Sequence, residues 1–498
     1  MATAAAGVMS HARAQPVSAD FDPGRDAVAF TLVAAGLCAA AIFMGTGLAL
    51  LLTVPVLAVW FWRAPVRGVY VLVAGAALIE IFPLHFSDSL TDRVLLFLNL
   101  NNTAGFDFPI TPAEILMLTA CGAALGRGVS ERRVRWPEGR IVTAYVVYVL
   151  VVVSGELHGL VSGGDLKTSL WEIRPQIYGF VVFILATTQI QDRTQLKRLA
   201  LFFLLAVFAK ALIGDFRYYV TLKGDLGGGF EVLAHEDSYF LGLFVTAGLA
   251  GLIWLKNRRF AVLMSLGSGL ALLAMLANSR RAGVYALAGA IAVVVLLAHP
   301  FEPSLRKRIA WLSVLTLIAG IGFIGYAWNK EYGVQAQLVR PIRSVFDPSA
   351  RDFSSDIYRT AETANIRFTF RTSPIIGVGF GSPFYIVYPM ADISNIYPFW
   401  NVIPHNSLLW VGMRMGTVGF IAFWGLIGFG VLAGFDIMRT RRDPLTRAVV
   451  AFALAAIAAE IAVGYTDLQL ESDRNLIFVG AVLGVLNMMP RLQEASDV

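Results

Sequence analysis

The feature that most constrains this chain is a repeating one. Apolar runs of about 17–25 residues, the length a helix needs to cross roughly 30 Å of hydrocarbon, follow one another from Ala27 almost to the C-terminus. With 57% hydrophobic and only 15% charged residues over 498 positions, the chain is too apolar for a water-soluble body of that size. The bilayer is its solvent, and the expected fold is all-α, a polytopic helical membrane protein.

The runs mark about fourteen spans, near 27–44, 47–62, 68–83, 110–126, 140–155, 175–190, 198–214, 239–255, 260–277, 282–298, 309–327, 405–433, 446–464 and 475–489. Residues 1–26 lack a short apolar core with a small-residue cleavage site and read as a cytoplasmic tail rather than a cleaved signal. The segments WRAPVR, RGVSERRVRWPEGR, QDRTQLKR, KNRR, EPSLRKR and MRTRRDPLTR are short and basic, so the positive-inside rule puts them in the cytoplasm. Every loop between them then falls outside, and an even number of spans returns the tail 490–498 to the cytoplasm. Eleven spans over 27–327, an extracytoplasmic subdomain over 328–404 and three spans over 405–489 complete the expected organisation. The net charge of +6 follows from this topology and from contact with membrane lipids. No basic segment has the aromatic interleaving of a nucleic-acid platform, so no nucleic-acid partner is expected.

Cys38 and Cys121 lie in apolar spans without CxxC or Cys/His spacing, and the six histidines form no HExxH-like pair. No phosphate-binding or dinucleotide glycine loop stands in the strand-and-helix context it requires, and GVGFG at 377–381 reads as a glycine-rich turn. No metal or cofactor is expected.

The outer face carries the chemistry. Within 328–404, SSDIYRTAETANIRFTFRTSP predicts a helix capped at Ser354 or Ser355 and stopped by Pro374. On it Arg359, Arg367 and Arg371 fall within a third of the circumference, a stripe suited either to solvent or to anion capture. In ANSRRAGVYALAG two spans meet in a very short outer turn, so Arg280 and Arg281 stand at the membrane surface with no acid in the turn to compensate them. Arg174, in WEIRPQIYGF, starts a span from the same side and is expected to converge with them. PHNSLLWVGMRMGTVGFIAFWG then opens the twelfth span with His405 and Asn406 at its outer end, and Gly412, Gly416 and Gly419 form a small-residue stripe for close helix approach.

TSPIIGVGFGSPF (372–384) followed by PHNSLLWVGMRMGTVG (404–419) resembles the signature region of the O-antigen ligase and O-antigen polymerase superfamily. NSRRAG resembles that family's Ser-Arg motif in an outer turn, and the likeness extends over roughly residues 170–490. The sequence departs from the family pattern at AHEDSYF (234–240), where an asparagine is usual, and at Arg414, where an acid is usual. The resemblance implies a membrane glycosyltransferase moving a glycan from undecaprenyl pyrophosphate to an acceptor hydroxyl, on a glycan, a lipid-linked molecule or a protein, at the outer face of a bacterial cytoplasmic membrane.

In that reading Arg280, Arg281 and Arg174 stabilise the pyrophosphate leaving group without a metal, and Arg359, Arg367 and Arg371 help bind substrate. His405 accepts or orients the acceptor proton, and Asn406 fixes its ring or contacts sugar. The alternative class, a secondary transporter or lipid-linked glycan flippase, draws on Lys210, Arg414 and Glu460 within or near apolar spans. An internal pair of Arg414 with Glu460 accounts for two of these, and residues 27–255 and 260–489 show no internal repeat.

Overall fold

The computed structural model describes residues 46–82, 91, 94, 96–100, 109–224, 232–278, 280–330, 334–395 and 397–493. Among them there are helices and no strand. The helices are α1 (Thr46–Arg63), α2 (Val66–Leu78), α3 (Pro112–Ser130), α4 (Arg140–Val161), α5 (Leu166–Gln189), α6 (Arg193–Phe216), α7 (Asp237–Trp254), α8 (Arg258–Ala277), α9 (Arg281–Phe301), α10 (Arg306–Ala327), α11 (Val334–Phe346), α12 (Ala350–Thr372), α13 (Ser407–Thr440), α14 (Pro444–Gly464) and α15 (Asp473–Met488). The expected first span, 27–44, and the tail 1–26 lie outside the described residues, as does Cys38. Each of the other thirteen expected spans coincides with a helix, and nine of the described helices are long and apolar enough to cross a membrane. The protein is a multi-pass helical membrane protein.

Local sequence fixes where the helices begin. Thr111 accepts from Glu114 N while the Glu114 carboxylate accepts from Thr111 N, a capping box completed by Pro112 in the first turn of α3. Asp165, Asp192, Asn257 and Asp443 cap α5, α6, α8 and α14 through side-chain oxygens that accept otherwise orphaned amides.

Burial then sorts the helices. The apolar window of α15 is 83% buried and α15 lies along α5, whereas the window of α10 is 0% buried and offers its whole apolar surface outward. Gly179 of α5 and Gly480 of α15 let the two backbones cross so closely that a Cβ at Gly480 would meet the carbonyl of Gly179.

The basic segments gather at one end of the bundle. Arg193 pairs with Asp443 (3.4 Å), Arg447 with Glu302 (3.5 Å), and Asn487 Nδ2 donates to the Glu138 carbonyl (3.0 Å). The segments between them meet at the opposite end, where α12 and the stretch 373–406 are folded onto the bundle. α12 begins earlier than its sequence suggested, at Ala350, and ends at Thr372, two residues before Pro374 as expected.

Candidate active site

Residues 373–383 do not form a free turn. They thread between α13 and the α4–α5 hairpin: Val378 N donates to Met413 O (2.9 Å), Gly379 N to Arg414 O (3.0 Å), and Asp165 N to Gly381 O (3.0 Å). A Cβ on Gly379 would collide with the backbone of Gly159, and its φ of +77° is one that side chains disfavour. Gly416 has φ +63° and ψ −162°, kinks α13, and lies so close to the Ile375 carbonyl that no side chain fits. Of the glycines expected to admit a helix, Gly416 instead admits this extended segment, hereafter the strand although it pairs in no sheet, while Gly412 faces the Phe370 ring and Gly419 faces Met415 of its own helix.

Arg414 locks the arrangement. Its Nε donates to Glu172 Oε1 (2.6 Å), Nη1 to the carbonyls of Gly379 (3.0 Å) and Ser382 (2.7 Å), and Nη2 to Val402 O (2.8 Å). Glu172 also accepts from Trp410 Nε1 and Gly381 N, both at 2.7 Å. The expected partner of Arg414, Glu460, instead accepts from Asn475 Nδ2 (3.0 Å). That correction has a topological cause: residues 373–383 thread between α13 and the α4–α5 hairpin, and Glu172 of α5 is the acid that reaches Arg414 beside them. Lys210 is likewise held within the bundle, by Glu80 and by Asp237 at 3.4 Å.

With the strand fixed, the His405 neighbourhood is set. Asn406 Oδ1 accepts from Leu409 N (3.0 Å), which makes it the cap of α13. The His405 ring takes its partner from α12 rather than from this neighbour. His405 Nδ1 lies 3.0 Å from Glu362 Oε1, and its backbone N–H donates to Glu362 Oε2 (3.0 Å). Tyr358 meets the ring edge to face at 5.9 Å. A carboxylate at Nδ1 fixes the tautomer with the proton on Nδ1 and leaves Nε2 as the basic nitrogen. The ring lines a cavity of about 540 Å³ together with Tyr358, Arg359, Ser354, Ser355, Ile357, Pro389 and Met390.

The expected arginines divide. Arg359 is half-buried on the cavity wall, whereas Arg367 and Arg371 are exposed on the outward face of α12. Arg280 stands at the N-terminal boundary of α9. The acid missing from that turn comes from α12: Arg281 Nη2 meets Asp356 Oδ1 (2.9 Å) and Nη1 meets Asp356 Oδ2 (3.4 Å), a two-pronged pair that ties α9 to the cavity wall. Arg174 makes its contacts elsewhere, with Asn99 Oδ1 (2.7 Å), the Pro109 carbonyl and Glu114 (3.3 Å).

Beside Arg359 lies a second pair. His235 Nδ1 is 3.6 Å from Asp467 Oδ2, in the loops before α7 and α15. Burial alone would push the His235 pKa down, but Asp467 and Glu236 outweigh it and raise it, against the opposing charge of Arg359. Burial works to raise Asp467, yet His235, Arg359 and His405 together hold its carboxyl well below the usual range.

Glu362, Asp356, His235 and Asp467 were not singled out from the sequence. For Glu362 a signal existed: Tyr358, Glu362, Asn365 and Thr369 recur at i, i+4, i+7 and i+11, a polar stripe that α12 turns inward. Asn365 uses it to receive the segment after the strand, accepting from Val387 N (2.8 Å) and Tyr388 N (2.7 Å).

Fold and candidate site together describe a polytopic helical membrane protein in which Arg281, Asp356, Arg359, Glu362 and His405 lie at the end of the bundle opposite its basic loops. Residues 266–424, under half of the chain, match the family described as O-antigen ligase, and this match supports the resemblance to the O-antigen ligase and polymerase superfamily. Arg280, Arg281, Glu362, His405 and Arg414 all lie within the match. No curated protein sequence matches the chain.

Proposed function

We propose that the protein is a membrane glycosyltransferase that moves a glycan from a lipid pyrophosphate, undecaprenyl pyrophosphate, to an acceptor hydroxyl on the outer face of a bacterial cytoplasmic membrane. The observation that carries this reading is His405, which lines a cavity together with Arg359 and is backed by the buried Glu362. Nε2 of His405 accepts the proton of the acceptor hydroxyl as its oxygen bonds to the anomeric carbon. The bond from that carbon to the pyrophosphate oxygen breaks, and its electron pair leaves on the phosphate. Glu362 orients the ring and stabilises the imidazolium that forms.

In this reading Arg359 on the cavity wall, with Arg280 and Arg281 at the start of α9, supplies positive charge to the departing anion; Arg281 is paired to α12 through Asp356. A secondary transporter or flippase is the less favoured reading, since Lys210, Arg414 and Glu460 each have partners inside the bundle. The deciding experiment supplies purified, reconstituted protein with a lipid-pyrophosphate glycan and a panel of sugar, lipid-core and hydroxyl-protein acceptors. A glycosylated acceptor and released lipid pyrophosphate are expected. Movement of the intact donor across the bilayer without a new glycosidic bond would overturn the reading.

A further inference from the structure

We infer that the C-terminal end of α12 and the strand that follows it rest on the bilayer surface, with Arg367 and Arg371 meeting the phosphates of lipid headgroups. This inference stands on its own observations and does not depend on the transferase reading.

The depth of the strand can be read from α13. Between Arg414 and Asp436 this helix carries no ionisable residue over positions 415–435. That run is about 31 Å long at 1.5 Å per residue, close to the roughly 30 Å of a hydrocarbon core. Its far end reaches Arg439, Arg441 and Arg442 at the basic end of the bundle. Its near end is therefore the edge of the hydrocarbon, and it coincides with the kink at Gly416. Thr417 N donates to Pro374 O (2.8 Å) and Val418 N to Ile375 O (3.2 Å), so the strand is bonded to α13 at that edge.

The side chains there suit an interface. Ile375 and Ile376 are 68% and 52% exposed, and Phe368, 42% exposed, meets Tyr385 edge to face at 6.3 Å. None of these groups lines the cavity, and Val418, Phe420 and Ile421 of α13, next to the Val418–Ile375 hydrogen bond, are exposed as well. Arg371 and Arg367 precede the end of α12 by one and five residues. At 1.5 Å per residue this places them within about 8 Å of the strand whatever the tilt of the helix, in or at the rim of a headgroup layer roughly 5–7 Å deep. Exposed arginines over an apolar belt match the phosphates of that layer, with stems that lie along the apolar surface.

The test uses the full-length protein with Cys38→Ser and Cys121→Ala, reconstituted in vesicles of zwitterionic lipid with one third phosphatidylglycerol. A single cysteine at Ile376 or at Ser354 carries an environment-sensitive fluorophore. The Ile376 position should be quenched by lipids bearing a nitroxide high on the acyl chain and be several-fold less accessible to aqueous iodide than Ser354. Equal iodide quenching at both positions, with no effect of the nitroxide lipid at Ile376, would overturn the inference. Arg367→Glu with Arg371→Glu, or the milder Arg367→Gln with Arg371→Gln, should raise iodide quenching at Ile376 at least twofold. No change in either variant would remove the phosphate contact.

Discussion

His405 and Glu362 show how much one side chain's role depends on a residue distant in sequence. A histidine at a helix start is commonly an interfacial anchor; a carboxylate bonded both to its Nδ1 and to its backbone amide makes it a directed base. His405→Ala should lower transfer by about 10²- to 10⁴-fold while donor binding persists, measured by acceptor glycosylation beside a donor-binding assay. Glu362→Gln should keep the fold and lose less, because a neutral amide still orients the ring but no longer stabilises its cation. Near-wild-type transfer by His405→Ala would leave the histidine an anchor.

The His235–Asp467 pair makes a prediction about pH. His235 has a raised pKa, so its contribution is complete below its unfolded value of about 6.5 and fades as pH rises through the folded value. Asp467 has a lowered one, so its contribution is complete above about 3.9 and is lost as pH falls through the folded value. The pair therefore stabilises most between about pH 3.9 and 6.5. The His235 side chain is 42% exposed, which screens the pair and keeps the effect small. The Tm difference between wild type and Asp467→Asn should be greatest in that window and shrink above it; a difference growing from pH 6 to 9 would contradict the assignment.

At the scale of elements, the threaded strand helps join α12 to the bundle, beside the Arg281–Asp356 and Glu362–His405 contacts, and it should be intolerant of side chains. Gly379→Ala must push backbone against Gly159 at a positive φ, and Gly416→Ala must push against Ile375. Strain of this kind costs on the order of 1–3 kcal/mol before the clash is counted. Both variants should lower the midpoint of thermal unfolding in detergent, whereas Gly425→Ala on the same α13, where a Cβ meets nothing within 4 Å, should leave it unchanged. Arg414→Ala strips a fully buried acid of its cation, a loss of about 3–5 kcal/mol. Replacing both Arg414 and Glu172 with Met should recover much of it, as judged by the same melt.

For the whole molecule, the expectation concerns sidedness. Cysteines at Ser354, beside the cavity, and at Ser130, at the basic end, should label from opposite faces of sealed membranes, Ser354 from outside. Labelling of Ser354 only from the cytoplasmic side would invert the proposed topology.

Sequence alone determined the class of fold, because spanning length and loop charge are local properties that each run of about twenty residues carries by itself. It also showed the family likeness in GVGFG, PHNS and NSRRAG, a likeness that the match over 266–424 supports. What tertiary structure decided was pairing. Arg414 goes to Glu172 over Glu460, Arg281 finds Asp356, and the His405 ring takes Glu362 from 43 residues upstream. The reason is physical: a buried or half-buried charge must find its counterion in three dimensions, and its sequence neighbours on a helix point to other faces, so the partner comes from whichever element packing brings alongside.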